Sequence, residues 1–177
     1  MISESELRQR MLPVRLFLVD NDAVLTDGRI VFGDYGDELK CFDVQDGHGL
    51  VMARRAGLLT VMLSGKKSRV NLRRAKELQM VKVYQNALDK LKVFEKILKR
   101  FRLKPEETLY IGDDLVDLPV LRRAGVAVAV ENAVPEVKEA AHYVTRRSGG
   151  RGAVREVIDL LLKSQGKWAA VTERYFR

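Results

Sequence analysis

The sequence predicts an α/β fold: a parallel sheet flanked by helices, with a β-hairpin inserted after the first strand. Three observations carry this. Short apolar runs alternate with segments of helical spacing along the chain. Several of those runs end in acids or in a small polar pair, and in parallel sheets the carboxyl ends of strands are where ligands bind. One early stretch instead holds two short alternating segments split by a glycine-rich turn, the mark of a hairpin.

LFLVD, from Leu16 to Asp20, reads as a buried strand that stops at an acid. In GRIVFGDYGDELKCFDVQDG the segments RIVF and ELKCF flank GDYGD and form the hairpin. Gly49 to Ala56 reads as a helix stopped by Gly57, and LLTVML as a second buried strand ending at Ser64 and Gly65. Ser68 to Leu78 is a charged helix with apolar positions at Val70, Leu72, Ala75 and Leu78, followed by the short strand KVY. Leu88 to Phe101 carries Leu91, Phe94, Ile97, Leu98 and Phe101 at helical spacing. TLYIG is a third buried strand and runs into DDLVD. Then come a helix from Leu118 to Ala124, the strand VAVAV, a short helix from Pro135 to Ala141, the short strand HYVT and a helix from Ala153 to Lys163. No repeat, low-complexity segment or linker interrupts this series. The expectation is one Rossmann-like domain over 1–177, with a core of 14–163 and a tail of 164–177.

Composition narrows the function classes. With 177 residues, 46% apolar and 32% charged, the chain suits a globular domain. The net charge of +8 raises nucleic acid as a partner. The basic runs RRAKE, LKRFR and TRRSGGR are short and interrupted, without a basic tail or an aromatic stacking platform, so nucleic acid is not the expected partner. No apolar run reaches the roughly 18 residues that span a bilayer, so no membrane partner is expected. The segment MISESELRQRMLPVR lacks the apolar core of a secretion signal, and a cytoplasmic location is expected. Cys41 is the only cysteine, and His48 and His142 lie far apart. Any metal here is held by carboxylate oxygens, which favours a hard cation such as Mg2+.

Asp20-Asn21-Asp22 follows one buried strand, and Asp113, Asp114 and Asp117 follow another. Each cluster alone fits a turn or a helix cap equally well. Together they point to a divalent cation, which removes the repulsion between neighbouring acids. A carboxylate attacks phosphorus competently once the phosphate charge is neutralised, and a second acid can protonate the leaving oxygen and later activate water. Ser64 and Gly65 would present a hydroxyl and free amides to phosphate. Lys90, near the start of a helix, could supply the neutralising charge; taken alone, a solvated lysine is the plainer reading.

DNDAVLTDG, LSGKKS, YQNALDKL and GDDLVDLPV resemble, in order, the four motifs of the haloacid dehalogenase superfamily. The match is closer to a branch with no large cap domain, the 3-deoxy-D-manno-octulosonate 8-phosphate phosphatases. GDELKCFDVQDGHG, VAVAVENAVPEVKEAAHYVT and TRRSGGRGAVREV resemble features of that branch, and the likeness runs from about Val14 to Trp168. The resemblance implies a hydrolase of phosphoric monoesters acting in lipopolysaccharide sugar synthesis. It makes Asp20 the nucleophile and a magnesium ligand, and Asp22 the general acid/base that also gives its backbone carbonyl to the metal. It makes Asp113 the further metal ligand, with Asp117 completing the metal set. Ser64 and Gly65 would bind the phosphoryl group, and Lys90 would neutralise it. Asp43, Asp46, Gly47, Lys66 and Arg74 would face the sugar acid. The resemblance also implies a homotetramer in which the hairpin and the tail from Gln165 to Arg177 close a neighbour's site.

Some residues depart from the pattern of that branch. Asn21 and Ala23 stand where an apolar residue and a glycine are usual, Lys66 where an arginine is common, and Val51 where some members carry another arginine. Lys66 and Val51 bring in a related substrate, a nonulosonate 9-phosphate. Asn21 and Ala23 bring in a non-catalytic domain that partners a nucleotidyl-sugar synthetase.

Overall fold

A computed structural model of the chain describes residues 2–177; Met1, at the head of the segment read for a secretion signal, lies outside them. Eight strands form: β1 (Leu16–Val19), β2 (Val31–Phe32), β3 (Glu38–Leu39), β4 (Leu59–Leu63), β5 (Lys82–Tyr84), β6 (Thr108–Gly112), β7 (Val126–Ala129) and β8 (Tyr143–Val144). Six of them make one sheet in the order β5-β4-β1-β6-β7-β8, with every pairing parallel. β1 lies between β4 and β6, with Leu16 opposite both Leu59 and Thr108. All four of its residues are buried, as a strand covered on both faces requires. Its neighbours diverge to either side, so the carboxyl ends of β1, β4 and β6 form the crevice where the strand order reverses.

Helices cover the two faces: α1 (Glu4–Met11), α2 (Val44–Arg55), α3 (Arg69–Glu77), α4 (Lys90–Phe101), α5 (Leu118–Leu121), α6 (Pro135–Ala140), α7 (Ala153–Ser164) and α8 (Trp168–Thr172). α4 turns Phe94, Ile97 and Leu98 into the core, and α7 turns Val157, Ile158, Leu161 and Leu162 inward.

Three stretches differ from the sequence expectation. The helix expected from Gly49 begins at Val44. Asp43 caps it by accepting from the Asp46 amide at 3.0 Å, which outweighs the glycines of DGHG. Those glycines are used for packing: a Cβ on Gly47 would stand 2.3 Å from Arg74 Nη2, and one on Gly49 3.1 Å from Arg155 Cδ. The hairpin shrinks accordingly to two residue pairs, Val31 with Leu39 and Phe32 with Glu38, in a sheet of its own. α1 carries no strong apolar stripe and was not expected. It forms through the Ser3 cap, the i,i+4 pairs Glu4–Arg8 and Glu6–Arg10, and burial of Leu7 and Met11.

The tail lies back on its own chain. The Gln165 amide donates to the carbonyls of Met11 at 2.9 Å and Val14 at 2.7 Å, α8 buries Val171, and Tyr175 Oη bonds His48 Nε2 at 2.9 Å and Arg55 Nη1 at 2.6 Å. Among the described residues no helix is long and apolar enough to cross a membrane.

Candidate active site

Asp20 follows β1, and its amide donates to Ile111 of β6 at 3.1 Å, which fixes it beside the start of the second acidic loop. One carboxylate oxygen each of Asp20, Asp113 and Asp117 lie within 4.8 Å of one another. Lys90, the first residue of α4 after its Asp89 cap, sets its buried ammonium 3.0 Å from Asp20 Oδ2 and 2.5 Å from Asp117 Oδ1. Tyr110 Oη donates to the same Asp117 oxygen at 2.5 Å. Asp117 Oδ2 accepts from the amides of Asp113 at 2.9 Å and Asp114 at 3.3 Å. Asp117 therefore holds the loop and Lys90 together with both oxygens occupied, while among the described residues Asp20 keeps only Oδ1 free and Asp113 keeps its carboxylate free.

The electrostatics follow from burial. Burial pushes Asp20 up to about 7; Lys90 pulls against it and Asp117 adds to it. Burial, with Asp20 and Asp117 nearby, pushes Asp113 up to about 8. Burial works against the Lys90 ammonium, but Asp20 and Asp117 outweigh it and hold Lys90 above its ordinary value. Three carboxylates face one ammonium, so a doubly charged cation balances the charge of the cluster. The donors are all oxygens, which suits a hard cation.

A cavity of about 310 Å3 opens on this cluster; its lining includes Asp20, Asp22, Gly65, Lys66, Lys90 and Asp113. Ser64, at the end of β4, is buried behind it; its Oγ and the Lys66 amide are 3.3 Å apart. A Cβ built on Gly65 meets nothing within 4 Å, so the backbone there stands open to a ligand. Lys66 is exposed at the rim.

The loop after β1 is braced from far along the chain. Ala23 adopts φ 60°, the left-handed region that favours glycine, as the glycine usual at this position suggested. Thr26 Oγ1 accepts from the amides of Ala23 at 3.2 Å and Gly28 at 3.3 Å. Asn132 Nδ2 donates to the Ala23 carbonyl at 3.0 Å, while its Oδ1 accepts from the Gly149 amide at 2.6 Å. A Cβ on Gly149 would stand 1.7 Å from that carbonyl, and the Gly150 amide donates to Val24 at 2.9 Å. The TRRSGGRG segment thus acts as a clamp on the loop after β1, and only glycine fits at Gly149.

Four of the residues expected at the sugar acid lie elsewhere. Asp46 is buried, with its carboxylate accepting from the amides of Gly152 at 3.2 Å and Arg155 at 2.7 Å at the start of α7; burial pushes it up to about 6. Gly47 packs against Arg74. Arg74 donates to the Asp43 carbonyl at 3.2 Å, pairs with Glu77 at 3.0 Å and stacks on Phe42. Asp43 caps α2 and lines a separate cavity of about 560 Å3 with Arg29 and Arg151. These side chains are engaged in holding α2, α3 and α7 together, so the structure does not bring them into the acidic pocket. Tyr110 and Lys40, by contrast, belong to the site without having stood out in the sequence. Tyr110 sits inside an apolar strand and Lys40 inside an alternating hairpin, where nothing local marks them.

Comparison with known proteins agrees with this geometry. Residues 67–158 match the family model of the haloacid dehalogenase-like hydrolases. A 3-deoxy-D-manno-octulosonate 8-phosphate phosphatase of Yersinia pestis is 42% identical over 164 residues, 93% of this chain and 88% of that one. The enzyme of the same name from Escherichia coli K12 is 44% identical over 154 residues, 87% of this chain and 82% of that one. The solved structure of a Moraxella catarrhalis 3-deoxy-D-manno-octulosonate 8-phosphate phosphatase, in complex with magnesium, phosphate and the sugar acid, superposes with a TM-score of 0.95. It is 36% identical and covers 97% of this chain and 98% of that one. The chain belongs to the haloacid dehalogenase-like hydrolases, in the branch of the 3-deoxy-D-manno-octulosonate 8-phosphate phosphatases.

Proposed function

We propose that this chain is a magnesium-dependent phosphatase that hydrolyses 3-deoxy-D-manno-octulosonate 8-phosphate through an aspartyl-phosphate on Asp20. The observation that carries this is the joint reach of Asp20 and Asp113 to one cation, with Lys90 3.0 Å from Asp20. The Moraxella relative holds magnesium, phosphate and the sugar acid, which supports the same assignment here. Asp20, the Asp22 backbone carbonyl and Asp113 would hold the ion, with Asp117 as their brace. When bound, magnesium supplies positive charge that offsets the phosphate oxygens and keeps Asp20 ionised.

Lys90 engages Asp20 Oδ2 and leaves Oδ1 to attack phosphorus. The phosphorus–oxygen bond to the sugar breaks, and Asp22 gives its proton to the departing oxygen, so the sugar leaves as an alcohol. Ionised Asp22 then takes a proton from water, whose oxygen attacks the aspartyl-phosphate; phosphate leaves and Asp20 is restored. Ser64, Gly65 and Lys66 grip the phosphoryl oxygens and the substrate during both steps.

The single-domain reading, the cytoplasmic location and a homotetramer belong to the same proposal. Phe32, 71% exposed, and the wholly exposed Tyr35 support assembly through the hairpin. The test is phosphate release, with magnesium, from the eight-carbon ester beside a nonulosonate 9-phosphate. A clear preference in kcat/KM for the eight-carbon ester is expected. The reverse preference reassigns the substrate, and release from neither of them together with release from no other phosphosugar rejects the enzyme.

A further inference from the structure

Lys40 stands just past β3, and its side chain is fully buried, at 0% exposure. A buried ammonium costs several kcal/mol unless it is paired, so its partners identify its purpose. Nζ lies 2.5 Å from Asp22 Oδ1 and 3.5 Å from Glu38 Oε1. Glu38 is held in turn by the Ser68 hydroxyl, 2.5 Å away at the start of α3. Asn21 Nδ2 donates to the same Asp22 Oδ1 at 3.1 Å.

Both donors thus fall on one oxygen of Asp22, and among the described residues Oδ2 has no partner. Asp22 lines the acidic pocket, whereas Lys40 does not and instead lines a separate cavity with Glu38 and Arg73. Two N–H donors thus occupy Oδ1 and leave Oδ2 as the oxygen free to meet a bound ligand.

We infer that Lys40 is a positioning residue for Asp22: its bond to Oδ1 fixes the carboxyl so that Oδ2 faces the leaving oxygen. This rests on the phosphatase reading above. It also gives the hairpin a part in the chemistry, because the ammonium comes from the strand that Glu38 and Ser68 anchor. If Lys40 merely secured the hairpin, its loss would act through contacts to the sugar and would spare a small primary alkyl ester such as ethyl phosphate.

The leaving group separates the two. A primary alkyl oxygen needs a proton to depart, whereas p-nitrophenolate leaves as a stable anion. kcat/KM reports steps only through the first bond cleavage, so the later role of Asp22 as base does not enter. With magnesium present, Lys40→Met is expected to lower kcat/KM about 100-fold on the eight-carbon sugar-acid phosphate and likewise on ethyl phosphate, and no more than about threefold on p-nitrophenyl phosphate. Lys40→Arg, which keeps a charged donor, restores most of the loss. Where Lys40→Met does not fold, Lys40→Gln takes its place with the same selectivity expected. Equal losses on ethyl phosphate and p-nitrophenyl phosphate, or a loss confined to the sugar ester, overturn the inference. If the wild type cleaves some other alkyl phosphate instead, only the substrate assignment falls and the comparison is made on that ester. If it cleaves neither ester class, the phosphatase reading falls, and the role of Lys40 with it.

Discussion

The carboxyl end of the sheet and the hairpin are built on opposite terms. At the sheet end, Asp20, Lys90 and Asp117 are charged and buried, and each is paired. At the hairpin, Val31, Phe32, Tyr35 and Leu39 are apolar and exposed. Both arrangements cost free energy in an isolated chain. The first is offset by pairing within the chain and by the cation its charge calls for, and the second would be offset by the proposed assembly. The difference teaches that the charged cluster finds its partners within one chain, whereas the apolar hairpin finds none there and is where the proposed assembly would form.

Asp20→Asn breaks the first region most deeply. kcat should fall at least about a thousandfold, because no other carboxylate reaches the same point. The metal-free variant should nevertheless have a raised Tm, since one of three crowded acids has been neutralised. A tenfold loss of rate would remove covalent catalysis, and a lowered Tm would remove the claim that the pocket stores electrostatic cost. Asp117→Ala attacks the brace instead. It strands the Tyr110 hydroxyl and two amides and takes one partner from Lys90, which should cost about 3 kcal/mol by denaturant titration in magnesium and lower kcat about 100-fold. A surface-like cost below about 0.5 kcal/mol would show that the brace carries no energy.

The second region breaks more gently. Phe32→Asp removes an apolar contact worth about 1.5–3 kcal/mol at an interface, so the dissociation constant of the assembly should rise about 10- to 100-fold by sedimentation. Tm of the dissociated chain should stay unchanged, because Phe32 supports nothing in its own core. If self-association were indifferent to this change, the hairpin would be exposed for another reason.

Magnesium and pH sharpen the contrast without any substitution. Asp20 near 7 and Asp113 near 8 lie above the ordinary 3.8, so without metal the folded state binds more protons than the unfolded state between about pH 4 and pH 8. Their stabilising contribution is complete below pH 4 and is lost as pH rises through 7 to 8. Magnesium must displace those protons, so the Tm gain it brings should grow from pH 6 to pH 9. A gain that shrinks with pH would contradict these directions.

The sheet end was more legible in the sequence than its surroundings, for a physical reason. LFLVD and TLYIG are buried on both faces, so apolar runs announce them and the acids that follow stand out. Asp46 and Lys40 are single polar residues in stretches that read as half-exposed. Their partners come from a helix start near residue 152 and from Asp22 on the loop after β1, and no local pattern encodes pairings of that range. The same limit hid the role of TRRSGGRG, whose partner loop lies near residue 23.

Ala23 gives the smallest effect and the finest test of how the site is held. At φ 60° an L-residue is strained by about 1–2 kcal/mol, and glycine relieves this at some cost in chain entropy. Ala23→Gly should therefore stabilise the protein by about 0.5 kcal/mol, read as a shift in denaturant midpoint at constant slope. The loop is held in place by Asn132, Thr26 and Gly149 through backbone groups, which glycine keeps. kcat should accordingly change less than about twofold. A destabilised variant with a large fall in kcat would mean that the Ala23 methyl, rather than these backbone bonds, fixes where Asp22 points.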